Sequence, residues 1–354
     1  MPGEGFPSGG FEKGNMENVI VIGGGIAGMT VASALKDRGY GVSVVEKKAE
    51  LGGNVASWDR LFPEGRPAAE ILQRIRAGVS DVDVHTGVSV ERAEALPAGG
   101  YRLGLSDGRE VEGAAVVMAG GFSLFDAHLK EEYGYGIYDN VFTSADLEAM
   151  FARGQVLTRA GKAPGRIGFV HCVGSRDEKI GNRYCSKVCC VTAVKQASEI
   201  KQLYPEAEVY CFYMDLRMYD LHFEDMYFNA QTLYGVRFVR GRLCEAAEDQ
   251  QKRVVLKVED TLADRTLRLP VDMLVLMAGM TAPSDTARVA DLLGVKCGKD
   301  GFLQPQDVYT GRNRSSRADV FLAGACTGPK SIPETLADAL AAAQAVGEYI
   351  EKRR

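Results

Sequence analysis

The stretch NVIVIGGGIAGMTVASALKDRGYGVSVVE, from Asn18 to Glu46, decides the fold of this chain. A short apolar run leads into G-x-G-x-x-G, a helical run follows, and a second apolar run ends at an acid. In this arrangement Gly23 allows a tight turn, Gly25 lets the backbone approach a pyrophosphate, and Gly28 lets helix and strand pack closely. The helix N-terminus attracts phosphates, and Glu46 is placed to bond ribose hydroxyls. The pattern predicts a dinucleotide-binding strand–helix–strand unit.

A glycine pair follows this unit closely, in Leu51-Gly52-Gly53-Asn54. In this position the chain is similar to two-dinucleotide-binding-domain flavoproteins, which carry such a pair beside bound FAD. That resemblance favours FAD over NAD. Two later apolar runs also end in glycine-rich turns, after Met118 and after Leu322, and we expect both turns to reach the same cofactor.

Half of the chain's eight cysteines lie in HCVGSRDEKIGNRYCSKVCC, which begins at His171. Iron–sulfur clusters are held by cysteine thiolates, and ligands at a strand end and on a helix's first turn can converge on one cluster. From spacing alone, structural zinc, disulfides and chance grouping of core thiols stay open. The clustered cysteines are Cys172, Cys185, Cys189 and Cys190, and the scattered ones are Cys211, Cys244, Cys297 and Cys326.

The middle of the chain repeats the order strand, loop, helix, strand, but a cysteine loop stands where a second G-x-G-x-x-G would be expected. Both ends of the chain are predicted to build one FAD domain around this inserted unit. The expected divisions are a flexible extension over 1–15, the FAD domain over 16–135 and 271–354, and the inserted Rossmann-like domain over 136–270. The fold class is therefore α/β.

Composition places the chain among globular proteins, with 46% apolar and 25% charged residues and a net charge of −5. The mild acidity argues against a nucleic-acid partner. No apolar run approaches the roughly 20 residues of a membrane helix, and the first residues lack the apolar core of a signal peptide. We therefore expect a cytoplasmic protein without a membrane span.

Several stretches of this sequence, spread over nearly its whole length, match one known family. The chain resembles the A subunit of heterodisulfide reductase and its short relatives, which include the A subunit of the quinone-interacting membrane-bound oxidoreductase complex and the A-like subunit of sulfur oxidisers. The matching stretches are VIGGGIAGM (21–29), VVEKKAELGGN (44–54), FDAHLKEEYGYGIYDNVFTS (125–144), the cysteine stretch with the KQA that follows it, and AGACTGPKSIPET (323–335).

This resemblance implies that the four clustered cysteines ligate one 4Fe–4S cluster near the flavin, and that Lys195 faces the isoalloxazine ring. No further ferredoxin-like cysteine run is present in the sequence. Related flavoproteins end their last strand in Gly-Asp, whereas Ala325 stands at the Asp position here, so backbone amides and Thr327 must contribute more to holding FAD. Cys326 is either a flavin-side thiol or a packed small residue.

The expected FAD contacts are then Gly23, Gly25, Ile26, Ala27, Gly28, Glu46, Lys47, Gly52, Gly53, Asn54, Val90, Ala119, Gly120, Gly121, Gly324, Ala325, Cys326, Thr327, Gly328, Ile332 and Pro333. The resemblance implies an electron-transfer subunit that converts between two-electron flavin and one-electron cluster chemistry, with B- and C-like iron–sulfur subunits as partners and a homodimer as a further possibility. A stand-alone flavin oxidoreductase that uses NAD(P)H or thiols, and a non-catalytic scaffold, are the alternatives.

Overall fold

A computed structural model describes residues 17–353, so the predicted extension over 1–15 lies outside the described residues. The opening unit folds as predicted, into β1 (Asn18–Ile22), α1 (Ile26–Asp37) and β2 (Gly41–Glu46). The two strands pair in parallel, and the apolar residues of β1 are buried. Such continuous burial is typical of a strand covered on both faces.

The first domain is built on a five-stranded parallel sheet that includes this unit. Its order is β20 (Val320–Leu322), β9 (Ala115–Met118), β1, β2 and β5 (Asp83–Thr86). The helices α1, α2 (Ala68–Ala77) and α7 (Ile332–Glu351) share one apolar core on one face. The other face is covered by an antiparallel sheet of β6 (Val90–Ala95), β7 (Tyr101–Leu105) and β8 (Glu110–Gly113). Because β20 comes from the far end of the chain, both ends do build one domain.

The second domain contains another five-stranded parallel sheet. Its order is β11 (Val141–Thr143), β18 (Met273–Ala278), β12 (Arg166–Val173), β13 (Glu208–Tyr213) and β14 (Arg237–Arg240). One face packs against α3 (Ser144–Ala152), α4 (Cys189–Leu203) and α5 (Phe223–Thr232). The other face packs against an antiparallel sheet of β15 (Leu243–Glu248), β16 (Val254–Asp260) and β17 (Arg265–Val271).

The strand β18 is where the structure departs from the expected division at residue 271. We expected this strand in the FAD domain, but it pairs with β11 and β12 in the second sheet. Its residues are all buried, and a uniformly apolar strand fits the middle of either parallel sheet. The chain therefore returns to the first domain only after Ala278.

Two short antiparallel strands mark the crossing between the domains, β10 (Ser123–Leu124) on the way out and β19 (Met280–Thr281) on the way back. The remaining elements are β3 (Arg60–Leu61), β4 (Arg66–Pro67) and α6 (Thr286–Leu293). Within residues 17–353, none of the helices is long and apolar enough to cross a membrane.

Candidate flavin cleft and cysteine loop

A cleft of about 310 Å³ lies between the carboxyl ends of the two parallel sheets. In open parallel sheets this edge is where cofactors bind. It is lined by many of the residues predicted to hold FAD: Gly23, Gly25, Ile26, Ala27, Glu46, Lys47, Gly52, Gly53, Asn54, Val90, Ala119, Gly120, Gly121, Ala325, Cys326 and Ile332. Five of the predicted contacts are not among the lining residues: Gly28, Gly324, Thr327, Gly328 and Pro333.

The first glycine turn has the geometry of a phosphate-binding loop. A Cβ on Gly28 would lie 1.8 Å from the carbonyl oxygen of Gly23, so only glycine allows this helix–strand contact. Gly25 precedes α1 with no side-chain cap, and the first turn carries no acid. The main-chain N–H groups at this helix start are therefore available to an anion in the cleft. A Cβ on Gly25 would be 3.8 Å from its nearest neighbour, Gly53, so this surface is open.

Glu46 is buried and fixes the glycine turn. Its Oε2 accepts a hydrogen bond from the N–H of Gly24 at 2.6 Å, and its Oε1 accepts one from the N–H of Lys48 at 2.7 Å. The sequence predicted a ribose contact for this carboxylate. The structure adds that it organises the loop itself, while each oxygen keeps a further lone pair for the cleft.

The loop after β20 is held by two charged side chains that the sequence reasoning missed. The N–H of Gly324 donates to Oδ2 of Asp338 at 2.7 Å, and Nζ of Lys330 donates to the carbonyl of Gly324 at 2.9 Å and to Oγ1 of Thr327 at 2.6 Å. Lys330 lines the cleft, and burial lowers its pKa. In the sequence, Lys330 could have been singled out by its place in the GACTGPK stretch.

Cys326 lies at the edge of the cleft but is a packed residue. Its thiol contacts the carbonyl oxygens of Met118 and Ala323, both at 3.2 Å. Burial raises its pKa to about 12, which keeps the sulfur protonated and unreactive.

The cysteine loop begins where β12 breaks. Cys172 has a left-handed backbone (φ 60°), and so do Arg176 (φ 53°) and Lys187 (φ 60°). The register of β12 against β18 shifts between Val170 and Val173, on either side of Cys172. Left-handed backbone is costly for residues with a Cβ and concentrates at functional sites.

Three of the four predicted ligands are brought together. Hydrogen bonding to Cys189 lowers the pKa values of Cys172 and Cys190, and the same contacts raise that of Cys189. Cys189 and Cys190 open α4, where the helix dipole favours thiolates. The fourth, Cys185, is half-buried, and its sulfur accepts a hydrogen bond from the N–H of Lys187 at 3.3 Å.

The donor chemistry of this loop fits an iron–sulfur cluster. All four cysteines are free, and thiolate donors select such clusters or zinc. Across residues 17–353, no group of three or more His, Cys, Asp or Glu side chains is arranged to hold a metal ion.

One face of α4 connects the thiols to the cleft. Cys189, Thr192, Lys195 and Gln196 follow the helical period and line the cleft wall. Nζ of Lys195 lies 2.6 Å from Oε1 of Glu148 and 3.3 Å from Oε2 of Glu199. Lys195 is therefore an ion-paired cleft residue and not a solvated surface lysine. Glu148 also lines the cleft, and no sequence pattern singled it out.

Two family models match parts of this chain. Residues 21–78 match the family described as NAD(P)-binding Rossmann-like domain, and residues 189–343 match the family described as pyridine nucleotide-disulphide oxidoreductase. The first of two iron–sulfur A subunits of CoB–CoM heterodisulfide reductase from Methanopyrus kandleri is 33% identical over 92% of this chain and 63% of its own length. The corresponding A subunit of Methanocaldococcus jannaschii is 32% identical over 93% of this chain and 64% of its own.

The chain is similar to heterodisulfide reductase A subunits over nearly all of its own length. It spans a little under two thirds of the length of these two family members. Among solved structures, T. acidophilum thioredoxin reductase aligns with a TM-score of 0.66 and 16% identity, over 96% of this chain and 100% of that one. That likeness confirms the predicted fold with two Rossmann-like domains.

Proposed function

We propose that this chain is a FAD- and 4Fe–4S-containing electron-transfer subunit of a heterodisulfide-reductase-like complex. The observation that carries the proposal is the position of Cys189, which belongs to the thiol group and also lines the cleft. A cluster held there would share a wall with a flavin in the cleft. Such closeness is what electron exchange between two cofactors requires.

The residues divide between the two cofactors according to their chemistry. The helix start at Gly25 and the glycine pair Gly52-Gly53 would receive the pyrophosphate, and Glu46 the ribose. Cys172, Cys185, Cys189 and Cys190 would supply the thiolates. When bound, FAD supplies two-electron chemistry and the cluster one-electron chemistry, and the protein sets their spacing and electrostatics.

Lys195 is the side chain best placed to influence the flavin ring. Its ammonium group lines the cleft, and its pairing with Glu148 holds it in place. A cation near the ring would favour added negative charge, and an ammonium group can give up a proton. Burial of the pair strengthens the attraction for that charge, because the local dielectric constant is low.

The names of the relatives support membership of a complex. The matched proteins are subunits of CoB–CoM heterodisulfide reductases. We propose that this chain likewise works with B- and C-like iron–sulfur subunits, which would carry the substrate site, in the cytoplasm. The electron donor and acceptor would then be decided by those subunits.

The decisive test is anaerobic purification from the native host, with counts of iron, acid-labile sulfide and flavin and identification of co-purifying subunits. We expect one FAD and four irons with four sulfides per chain. Finding zinc in place of iron would contradict the proposal that the cysteines hold an iron–sulfur cluster. Rapid flavin bleaching by NADH alone, in stopped flow, would instead favour a stand-alone pyridine-nucleotide oxidoreductase.

A further inference from the structure

The segment Phe125–Tyr133 contacts the cysteine loop through a buried ion pair. Nζ of Lys130 lies 2.9 Å from Oδ2 of Asp177, and the two side chains are 5% and 3% exposed. Glu132 adds a second carboxylate at 2.6 Å from the same Nζ. The segment belongs to the 125–144 stretch, which neither the flavin nor the thiols account for.

Asp177 organises the loop that it belongs to. Its Oδ1 accepts a hydrogen bond from the N–H of Lys179 at 3.0 Å, and its own N–H donates to the carbonyl of Asn182 at 2.9 Å. Asn182 in turn donates from Nδ2 to the carbonyl of Gly174 at 3.0 Å. A single carboxylate thus links Lys130 to the turn between Cys172 and Cys185.

A second contact lies near the start of the loop. The ring of Phe125 packs directly on Gly174, where a Cβ would come within 2.0 Å of it. The N–H of Phe125 donates to the carbonyl of Gly279 at 2.8 Å, just beyond β18. The segment is therefore anchored to the second sheet and holds the cysteine loop at two points.

External anchoring matters because the loop is strained. Cys172 and Arg176 are left-handed, and such conformations persist only where the surroundings enforce them. Arg242 also contacts Oδ2 of Asp177, at 3.4 Å, but its side chain is 51% exposed, so Lys130 is the buried cation partner. Removing that partner from a buried carboxylate is strongly destabilising. Loss of Lys130 alone should release the turn.

We infer that Lys130 is a positioning residue for the cysteine loop: its ion pair with Asp177 holds the backbone in the conformation that groups the thiols, and so controls how firmly an iron–sulfur cluster is retained. The part of this inference that concerns cluster retention rests on the proposed function. The contact between Lys130 and the loop does not depend on it.

The test compares Lys130→Met, Lys130→Arg, which keeps a positive charge, and the control Lys257→Met, which removes an exposed pair with Glu245. In the apoprotein, trypsin cleavage after Arg176, Lys179 or Arg183 measures the loop directly. We expect cleavage at least about tenfold faster in Lys130→Met, a rate much closer to wild type in Lys130→Arg, and the wild-type rate in the control. Equal cleavage in wild type and Lys130→Met would overturn the inference.

The reconstituted protein gives the second measurement. We expect Lys130→Met to lose iron to a chelator at least about tenfold faster than wild type, with an unchanged FAD content. Unchanged iron loss would contradict the role in retention. A wild-type protein that takes up no cluster would contradict the proposed function, while the proteolysis result would still decide the loop contact. If Lys130→Met fails to fold, Lys130→Gln takes its place, and cleavage of that variant at the wild-type rate would overturn the inference.

Discussion

The ammonium group of Lys195 lies 2.6 Å from Oε1 of Glu148, and each side chain is only 6% exposed. The other carboxylate oxygen of Glu148 accepts a hydrogen bond from the N–H of Asp59 at 2.9 Å. Asp59 belongs to the first domain, whereas Lys195 and Glu148 lie on α4 and α3 of the second. One buried carboxylate therefore couples the position of the cleft lysine to the contact between the domains.

Replacing Glu148 by alanine should destabilise the protein strongly. The change leaves Lys195 buried with only Glu199 nearby, and such a loss costs about 3 kcal/mol or more of unfolding free energy. Chemical denaturation measures the change. Glu245→Ala, which removes an exposed partner of Lys257, should cost less than about 1 kcal/mol. Equal effects of the two substitutions would show that the buried pair is not a structural link.

Glu199 should make stability depend on pH. Burial raises its pKa from the ordinary 4.5 to about 7, assisted by Glu148 and Asp59 and opposed by Lys195. Because the pKa is higher in the folded state, the stabilisation from this group is complete below 4.5 and is lost as the pH rises through about 7. In Glu199→Gln this loss is absent.

The measurement is the free energy of unfolding of Glu199→Gln relative to wild type, from about pH 5 to about pH 8. We expect the difference to shift in favour of the variant as the pH rises. The exposed acid Glu206 provides the control, since Glu206→Gln should show no such trend over this range. A pH-independent difference for Glu199→Gln would mean that the carboxyl keeps its ordinary pKa.

Substitutions in the glycine turn should separate folding from flavin binding. Alanine at Gly25 meets no atom closer than 3.8 Å, whereas alanine at Gly28 would clash with the Gly23 carbonyl. Gly25→Ala should fold normally but bind FAD about tenfold more weakly, a loss of about 1.4 kcal/mol. Gly28→Ala should lower the melting temperature of the apoprotein. Thermal melts and flavin fluorescence titration provide the two measurements; normal FAD affinity in Gly25→Ala would place the pyrophosphate elsewhere.

Replacing Cys189 by serine should remove iron and leave the flavin. Thiolate is the cluster ligand, while the glycine turns that line the first domain's side of the cleft are unchanged. Iron, sulfide and FAD counts on anaerobically prepared protein test this, with the exposed Cys244→Ser as the matched control. Full iron content in Cys189→Ser would exclude this cysteine as a ligand.

Alkylation should distinguish Cys326 from a reactive flavin-side thiol. The residue is 2% exposed and its pKa is raised to about 12, so iodoacetamide should leave it unmodified in the folded apoprotein. The exposed Cys244 should react under the same conditions, and both should react after denaturation. Peptide mass spectrometry identifies the products, and modification of Cys326 at the rate of Cys244 would show an accessible thiolate.

Local sequence determined the parts of this protein that depend on short-range geometry. The strand, glycine turn, helix and strand from Asn18 to Glu46 form as predicted, because the glycines and the apolar runs specify each element locally. The helix that follows the cysteine loop was also readable from the sequence. The matching stretches also indicated a resemblance to heterodisulfide reductase A subunits.

Only the tertiary structure decided which distant elements meet. The apolar run of β18 is compatible with either sheet, and pairing with β11 and β12 assigned it to the second domain. Glu148 and Lys130 carry no local signal, because an acid or a lysine in a polar segment is normally solvated. Each becomes significant only when folding buries it against a charge far along the chain, Lys195 in one case and Asp177 in the other. Long-range burial converts ordinary surface residue types into the contacts that position the cleft and the cysteine loop.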